Sequence, residues 1–299
     1  SQDRDYVYLS QGTSGITTAG GGNAWVLQSY FAKADYDYAG KYLFSATLRR
    51  DGSSRFGENN RWGYFPAFSA GWKINEESFF NLDFVDSLKL RASWGQNGNQ
   101  EIDTRATSNI YESRYATQSL FTTLQDEGTA YDLNGNDQGT LPSGFAKTQT
   151  GNPDLKWETS TQTNIGVDFD LFSKSLYGSL DWFVKRTEDI LTRTTPLATE
   201  GEGAQMIVNG GTIDNKGVEL MLGYVNEFDL PKIGNVGFDI SGNIATAKNE
   251  VIDLPESVIN SFGGNGQDKT IKGRSIKSVY GYVADGLFQS QAEIDAHAK

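Results

Sequence analysis

Eight stretches of this chain alternate apolar and polar residues with a period of two, and that alternation limits the possible folds more than any other feature. They run Ser29 to Tyr38, Tyr42 to Asp51, Gly63 to Ile74, Ser87 to Gly95, Trp157 to Leu171, Ser175 to Lys185, Gly217 to Val225 and Val236 to Ala247. One phase carries Tyr30, Ala32, Ala34, Tyr36 and Tyr38, then Tyr42, Phe44, Ala46 and Leu48. It continues with Tyr64, Phe68, Trp72, Leu88, Leu90, Trp94, Ile165, Val167, Phe169, Leu180, Trp182, Leu220, Tyr224 and Ile240, and in all eight stretches this phase is expected to carry no charge. The other phase includes fourteen charges at Lys33, Asp35, Asp37, Arg49, Lys73, Lys89, Arg91, Glu158, Asp168, Asp170, Asp181, Lys185, Glu219 and Asp239. Successive side chains of a strand point to opposite faces, so the pattern predicts strands with one apolar and one wet face. Long strands of this kind fit an all-β fold, an antiparallel transmembrane β-barrel.

Composition narrows the alternatives. A β-barrel can use 299 residues as one domain. No apolar run approaches the roughly 18 residues that a membrane-spanning helix needs, so a helical membrane protein is excluded. Glycine is abundant and proline scarce, which suits strands and turns rather than disorder. The absence of cysteine excludes disulfides, zinc-thiolate sites and thiol nucleophiles, and a net charge of -12 argues against nucleic-acid binding. The opening SQDRDYVYLS shows no export signal and the closing AEIDAHAK no final strand, so the chain is expected to be a fragment.

The connections alternate in length. Tyr38 to Lys41, Asn75 to Asp86, Phe172 to Lys174 and Asn226 to Asn235 are the shorter set. Arg50 to Trp62, Asn97 to Lys156, Arg186 to Lys216 and Asn249 to Ser275 are the longer, polar set. Outer-membrane barrels sort their connections in this way, with short periplasmic turns and long outer loops. Tyr36, Tyr38, Tyr42 and Trp72 fall by the short turns, and Tyr64, Trp94, Trp157 and Trp182 towards the long loops, as two interfacial girdles would. The competing fold is a two-sheet sandwich that buries the apolar phase, but a sandwich has no reason to sort its loops. Eight or nine strands could close a narrow barrel, and a wider barrel cut short fits equally.

Arg49, Arg50, Asp51, Gly52, Ser53, Ser54 and Arg55 form a strand-to-loop transition whose arginines are expected to pair with carboxylates on neighbouring strands. Asn152 to Trp157 reads as a loop returning into a strand, with Trp157 anchoring the outer interface. Tyr111, Tyr115, Phe121 and Tyr131 lie in a long outer loop, where they could stack on sugar rings or peptide side chains, or pack the loop itself. Asp132, Asn134, Asn136 and Asp137 resemble the start of a calcium loop, but Asp137 and Ser143 stand where such loops need glycine and glutamate. A solvated loop is the better reading, and no metal or cofactor is expected. The glycines of GGGNAW and FGGNGQ precede no helix start and read as loop residues. His297 is the only histidine and no GxSxG elbow accompanies it, so an enzyme is not expected.

Several longer segments carry a family likeness. YLFSATLRRDGSSRFGENNRWGYFPAFSAGWKINEESFF, LKLRASWGQNGNQEI, NPDLKWETSTQTNIGVDFDLF, NGGTIDNKGVELMLGY and GRSIKSVYGYVADGLFQSQAEIDAHA resemble the SusC/RagA family of TonB-dependent outer-membrane transporters. They stand in the expected order and cover most of the chain from about Tyr30 onwards. The resemblance implies a plugged barrel of about 22 strands in the outer membrane of Gram-negative, Bacteroidetes-type cells. Residues 1–299 would form part of its barrel domain, with the signal peptide, plug domain and last strands lying elsewhere. It also implies import of oligosaccharide or peptide nutrients, a SusD-like surface lipoprotein as lid, and energy from a TonB–ExbB–ExbD complex. The alternative function is a passive pore or adhesin with acidic surface loops.

Overall fold

All eight alternating stretches form strands, and together they make one antiparallel sheet. The computed structural model describes residues 24–102, 115–122, 146–194, 204–231, 234–261, 271–276, 278–279, 281 and 286–297. The large strands are β1 (Leu27–Tyr38), β2 (Tyr42–Ser53), β3 (Trp62–Lys73), β4 (Val85–Asn99), β7 (Glu158–Leu171), β8 (Leu176–Glu188), β11 (Thr212–Leu230) and β12 (Gly234–Asp253). They pair in the order β1-β2-β3-β4-β7-β8-β11-β12, so each strand lies beside its neighbour in sequence once the loop strands are set aside. Those loop strands are two small hairpins, β5 (Leu120–Thr122) with β6 (Ala146–Gln149) and β9 (Leu191–Arg193) with β10 (Ile207–Asn209). One short helix, α1 (Gln291–His297), follows, and no helix among the described residues is long and apolar enough to cross a membrane.

The register places the apolar phases of all eight strands on one face. A single cross-strand row runs Tyr38, Tyr42, Trp72, Leu90, Val167, Leu180, Leu220 and Ile244. This row starts at the short turn between β1 and β2, yet on β11 it lies ten residues above Leu230, the last residue of that strand. Such drift is the stagger of strands tilted in a barrel wall. The face is bare: Phe68, Ile165 and Ile244 are 55%, 53% and 69% exposed. A sandwich would bury this face, so the two-sheet alternative fails. On β11 it runs from Phe228 up to Val218, ~33 Å along a strand at ~3.3 Å per residue and ~25 Å of height at a tilt near 40°, the height of an outer-membrane apolar band.

Tight turns close the lower ends. Ala39 and Gly40 are both left-handed, with φ of 57° and 70°, as a two-residue hairpin turn requires. Glu77, in the connection between β3 and β4, accepts hydrogen bonds from Tyr42 Oη (2.6 Å), Trp72 Nε1 (3.0 Å) and Lys41 Nζ (3.3 Å). The Tyr42 hydroxyl above all, then Trp72, holds the Glu77 carboxyl below its ordinary value of 4.5. The latch is therefore complete above that value and is lost as pH falls through the lower folded one.

At the upper end the sheet forks. The β3–β4 ladder stops at Ala67 opposite Gly95, while β3 stays paired with β2 up to Trp62 and β4 with β7 up to Asn99. Pro66 sits at the fork and has no N–H to extend a ladder. Phe65 and Trp157 fill the opening, with Phe56 tilted against Trp157 at 5.1 Å and Phe65 edge-on at 5.6 Å. This corrects the predicted girdle: Trp157 is buried in a loop core and does not face lipid. Tyr64, Trp94 and Trp182 remain exposed on the apolar face as expected.

Candidate functional site

The wet face forms an ion-paired wall. Arg91 on β4 donates from Nε and Nη2 to both oxygens of Asp168 at 2.8 Å each, and from Nη2 to Asp181 on β8 at 3.0 Å. One guanidinium thus ties three consecutive strands, and its bidentate grip fixes their spacing. Further along, Tyr177 Oη donates to Asp239 on β12 at 2.9 Å. Beside this charged strip, Ser45, Thr47, Ala67, Ser69, Ser93 and Gly95 line a groove of about 400 Å³ that reaches Gln162 and Lys185. Small side chains on β2, β3 and β4 leave that room.

Above the wall the described parts of the long loops pack into two apolar cores. The first joins Phe56, Phe65, Ile102, Ala116, Leu155, Trp157, Leu191 and Ile207. The second joins Ile213, Val251, Leu254, Val258 and Ile271 over the β11–β12 hairpin. Asparagines stitch the first core. Asn152 Nδ2 donates to the Ile207 carbonyl (2.9 Å) and Asn60 Nδ2 to that of Asp154 (2.9 Å). Asn209 donates to the carbonyls of Lys156 (2.8 Å) and Asp189 (3.0 Å), and its own Oδ1 accepts from the Lys156 N–H (3.0 Å). Leu155 is fully buried at the centre, and Trp157 Nε1 donates to the Arg61 carbonyl at 3.2 Å. Six connected segments therefore act as one cap.

The sequence-predicted residues fall on this cap unevenly. Tyr115 Oη donates to the Ala24 carbonyl at 2.7 Å and lies 3.1 Å from Ser54 Oγ, so its hydroxyl is engaged in loop packing. Phe121 stands on β5 and is 60% exposed. Tyr111, Tyr131 and the residues Asp132, Asn134, Asn136 and Asp137 lie outside the described residues. Among those described, no group of three His, Asp or Glu side chains could hold a metal. His297 closes α1 with its ring 5.2 Å from that of Phe288.

The arginines of the RRDGSSR segment depart from expectation. Arg49 pairs with Asp51 on its own strand at 2.7 Å, and on the neighbouring β1 it meets the Ser29 hydroxyl at 3.4 Å rather than a carboxylate. Arg55 is buried, stacks 4.3 Å over Trp25, and reaches Glu101 just beyond β4 at 2.9 Å. Arg50 lies on the apolar phase of β2, beyond Leu48, and stacks on aromatic rings, with no carboxylate paired to it among the described residues. It is a charge within the second alternating stretch that the apolar phase was not expected to carry.

A bare apolar band, a charged inner wall and a folded cap are the anatomy of an outer-membrane barrel. A family profile for the TonB-dependent receptor-like β-barrel matches residues 2–278. The chain belongs to the TonB-dependent receptor β-barrel family. It is similar to TonB-dependent receptor P39 of Formosa agariphila, 36% identical over 289 residues, which is 96% of this chain and 24% of that protein. It is similar also to TonB-dependent receptor SusC of Bacteroides thetaiotaomicron, 31% identical over 91% of this chain and 26% of SusC. Among solved structures, the RagAB peptide transporter superposes with a TM-score of 0.62 at 26% identity, over 79% of this chain and 23% of that one. The chain thus spans about a quarter of the length of these relatives. As a SusC/RagA-type TonB-dependent receptor barrel it lies in the outer membrane, its apolar phase against lipid and its polar phase towards the lumen.

Proposed function

We propose that the chain supplies part of the barrel wall and outer cap of a transporter that imports oligosaccharide or peptide nutrients. The observation that carries this reading is the folded cap above a charged lumen wall. A passive pore has no need of eight buried apolar residues organising its loop bases, whereas a substrate-gathering mouth needs its loops held in place. The RagAB relative is described as a peptide transporter, which supports peptide as one of the two cargo classes. Exposed Phe121, with Tyr111 and Tyr131 of the same long connection, would offer ring faces to sugar or peptide. In this reading the intact protein is a plugged barrel of about 22 strands, energised through TonB–ExbB–ExbD and covered by a SusD-like lipoprotein.

Purification of the intact protein from native outer membranes in mild detergent, followed by mass spectrometry, tests the partner. A stoichiometric surface lipoprotein is the expected companion. A barrel recovered alone across several mild detergents would contradict the lidded importer and favour the pore or adhesin.

A further inference from the structure

The lipid-facing phase of β2 runs Tyr42, Phe44, Ala46, Leu48 and then Arg50. A cation on the lipid face of a barrel is unfavourable at the bilayer centre and tolerated only near an interface. Arg50 lies eight residues above Tyr42, ~26 Å along the strand and ~20 Å in height at a tilt near 40°, in the upper part of the apolar band. Its cross-strand partners are Tyr30 on β1 and Tyr64 on β3. The guanidinium stacks 4.1 Å over the Trp62 ring and 5.5 Å from that of Tyr64, and Trp62 lies 6.1 Å from Tyr30. Gly52 makes this possible. A Cβ there would fall 2.7 Å from the Trp62 ring, so only glycine lets the indole lie back across β2 beside Arg50.

Stacking engages the faces of a guanidinium and leaves its in-plane donors for an anion. Arg50 Nε is buried without a hydrogen-bond partner, and among the described residues no carboxylate pairs with Arg50. Arg49, Arg55, Arg91 and Arg186 each grip one. A cation held in an aromatic frame on the lipid face, with no carboxylate beside it among the described residues, is placed to meet an anion of the membrane. The long-loop end of a barrel faces outwards, so that anion belongs to the outer leaflet. We propose that Arg50, framed by Tyr30, Trp62 and Tyr64, binds the phosphate of a glycolipid headgroup in the outer leaflet. The guanidinium takes the phosphate oxygens, and the rings offer apolar faces to the sugar. This rests on the lipid-facing assignment of β2 and not on what the barrel imports.

Native mass spectrometry of the intact protein in mild detergent, offered lipid A with or without its phosphates, provides the test. Wild type should retain the phosphorylated lipid about tenfold better, the scale of one charge-assisted contact. Arg50→Gln should erase the preference, and Arg50→Lys, which keeps the charge but loses the planar fork, should keep part of it. Heat-dependent electrophoretic mobility reports whether each variant is folded. Equal retention of the two lipids by wild type overturns the proposal, whatever the variants do. So does an undiminished preference in folded Arg50→Gln. Binding of inorganic phosphate with no lipid retained would overturn it too, because the anion would then come from solution.

Discussion

Arginine in place of Leu180 should destabilise the folded barrel by about 2–4 kcal/mol, the cost of a cation placed in the middle of a lipid-facing band. Leu180 lies midway along the apolar run of β8 from Leu176 to Val184, between Val167 and Leu220 on its two neighbours, and is 43% exposed to what surrounds the barrel. Arginine one position earlier, at Ser179, should cost less than about 1 kcal/mol. Ser179 faces the lumen opposite Asp168, where a new cation finds a carboxylate. Equilibrium unfolding of the two variants in lipid vesicles separates them. Equal costs would mean that the two phases of β8 do not face different media.

The second large effect is expected at Trp157. Truncation to alanine should cost about 3–5 kcal/mol, as for other buried aromatic side chains. It removes the contacts with Phe56 and Phe65 and the hydrogen bond to the Arg61 carbonyl, and leaves the β3–β4 fork unfilled. The loss should be local. The loop segments around Phe56 and Asn152 should become sensitive to protease while the barrel keeps its heat-resistant mobility, because the eight-stranded ladder below the fork is untouched. Trp157→Phe should restore part of the resistance. Loops that resist protease equally in wild type and Trp157→Ala would show that this core does not hold the cap.

The wall was legible in the sequence because one face of every strand meets lipid, and a period of two records that directly. The strands run further than their alternation does. β11 extends from Thr212 to Leu230, whereas the pattern covers only Gly217 to Val225. Above Val218 the same phase continues as Lys216 and Asp214, which lie beyond the apolar band and are held by each other and by Arg186. There the ladder persists but the contrast between faces ends. The cap was harder to read. Leu155 and Trp157 lie among turn residues, and Trp157 shares the phase of the lipid-facing positions, so periodicity placed it in a girdle. What buries it is contact with Phe56 and Phe65, distant in sequence. Pro66, inside an otherwise regular stretch, is the signal that could have located the fork. Arg50 also lies in plain view at the end of the second alternating stretch. Its meaning came only from the register that sets it beside Tyr30 and Tyr64.

The central claim is that alternate residues of each strand face lipid and lumen. The chain has no cysteine, so single cysteines can be introduced along β8 from Leu176 to Val184 in the intact protein, with any others replaced. Each is spin-labelled in vesicles and its collision rates with oxygen and with a polar nickel chelate are measured. Labels at 176, 178, 180, 182 and 184 should favour oxygen, and those at 177, 179, 181 and 183 the chelate, in strict alternation. A profile without a period of two, or with the phases exchanged, would contradict the account.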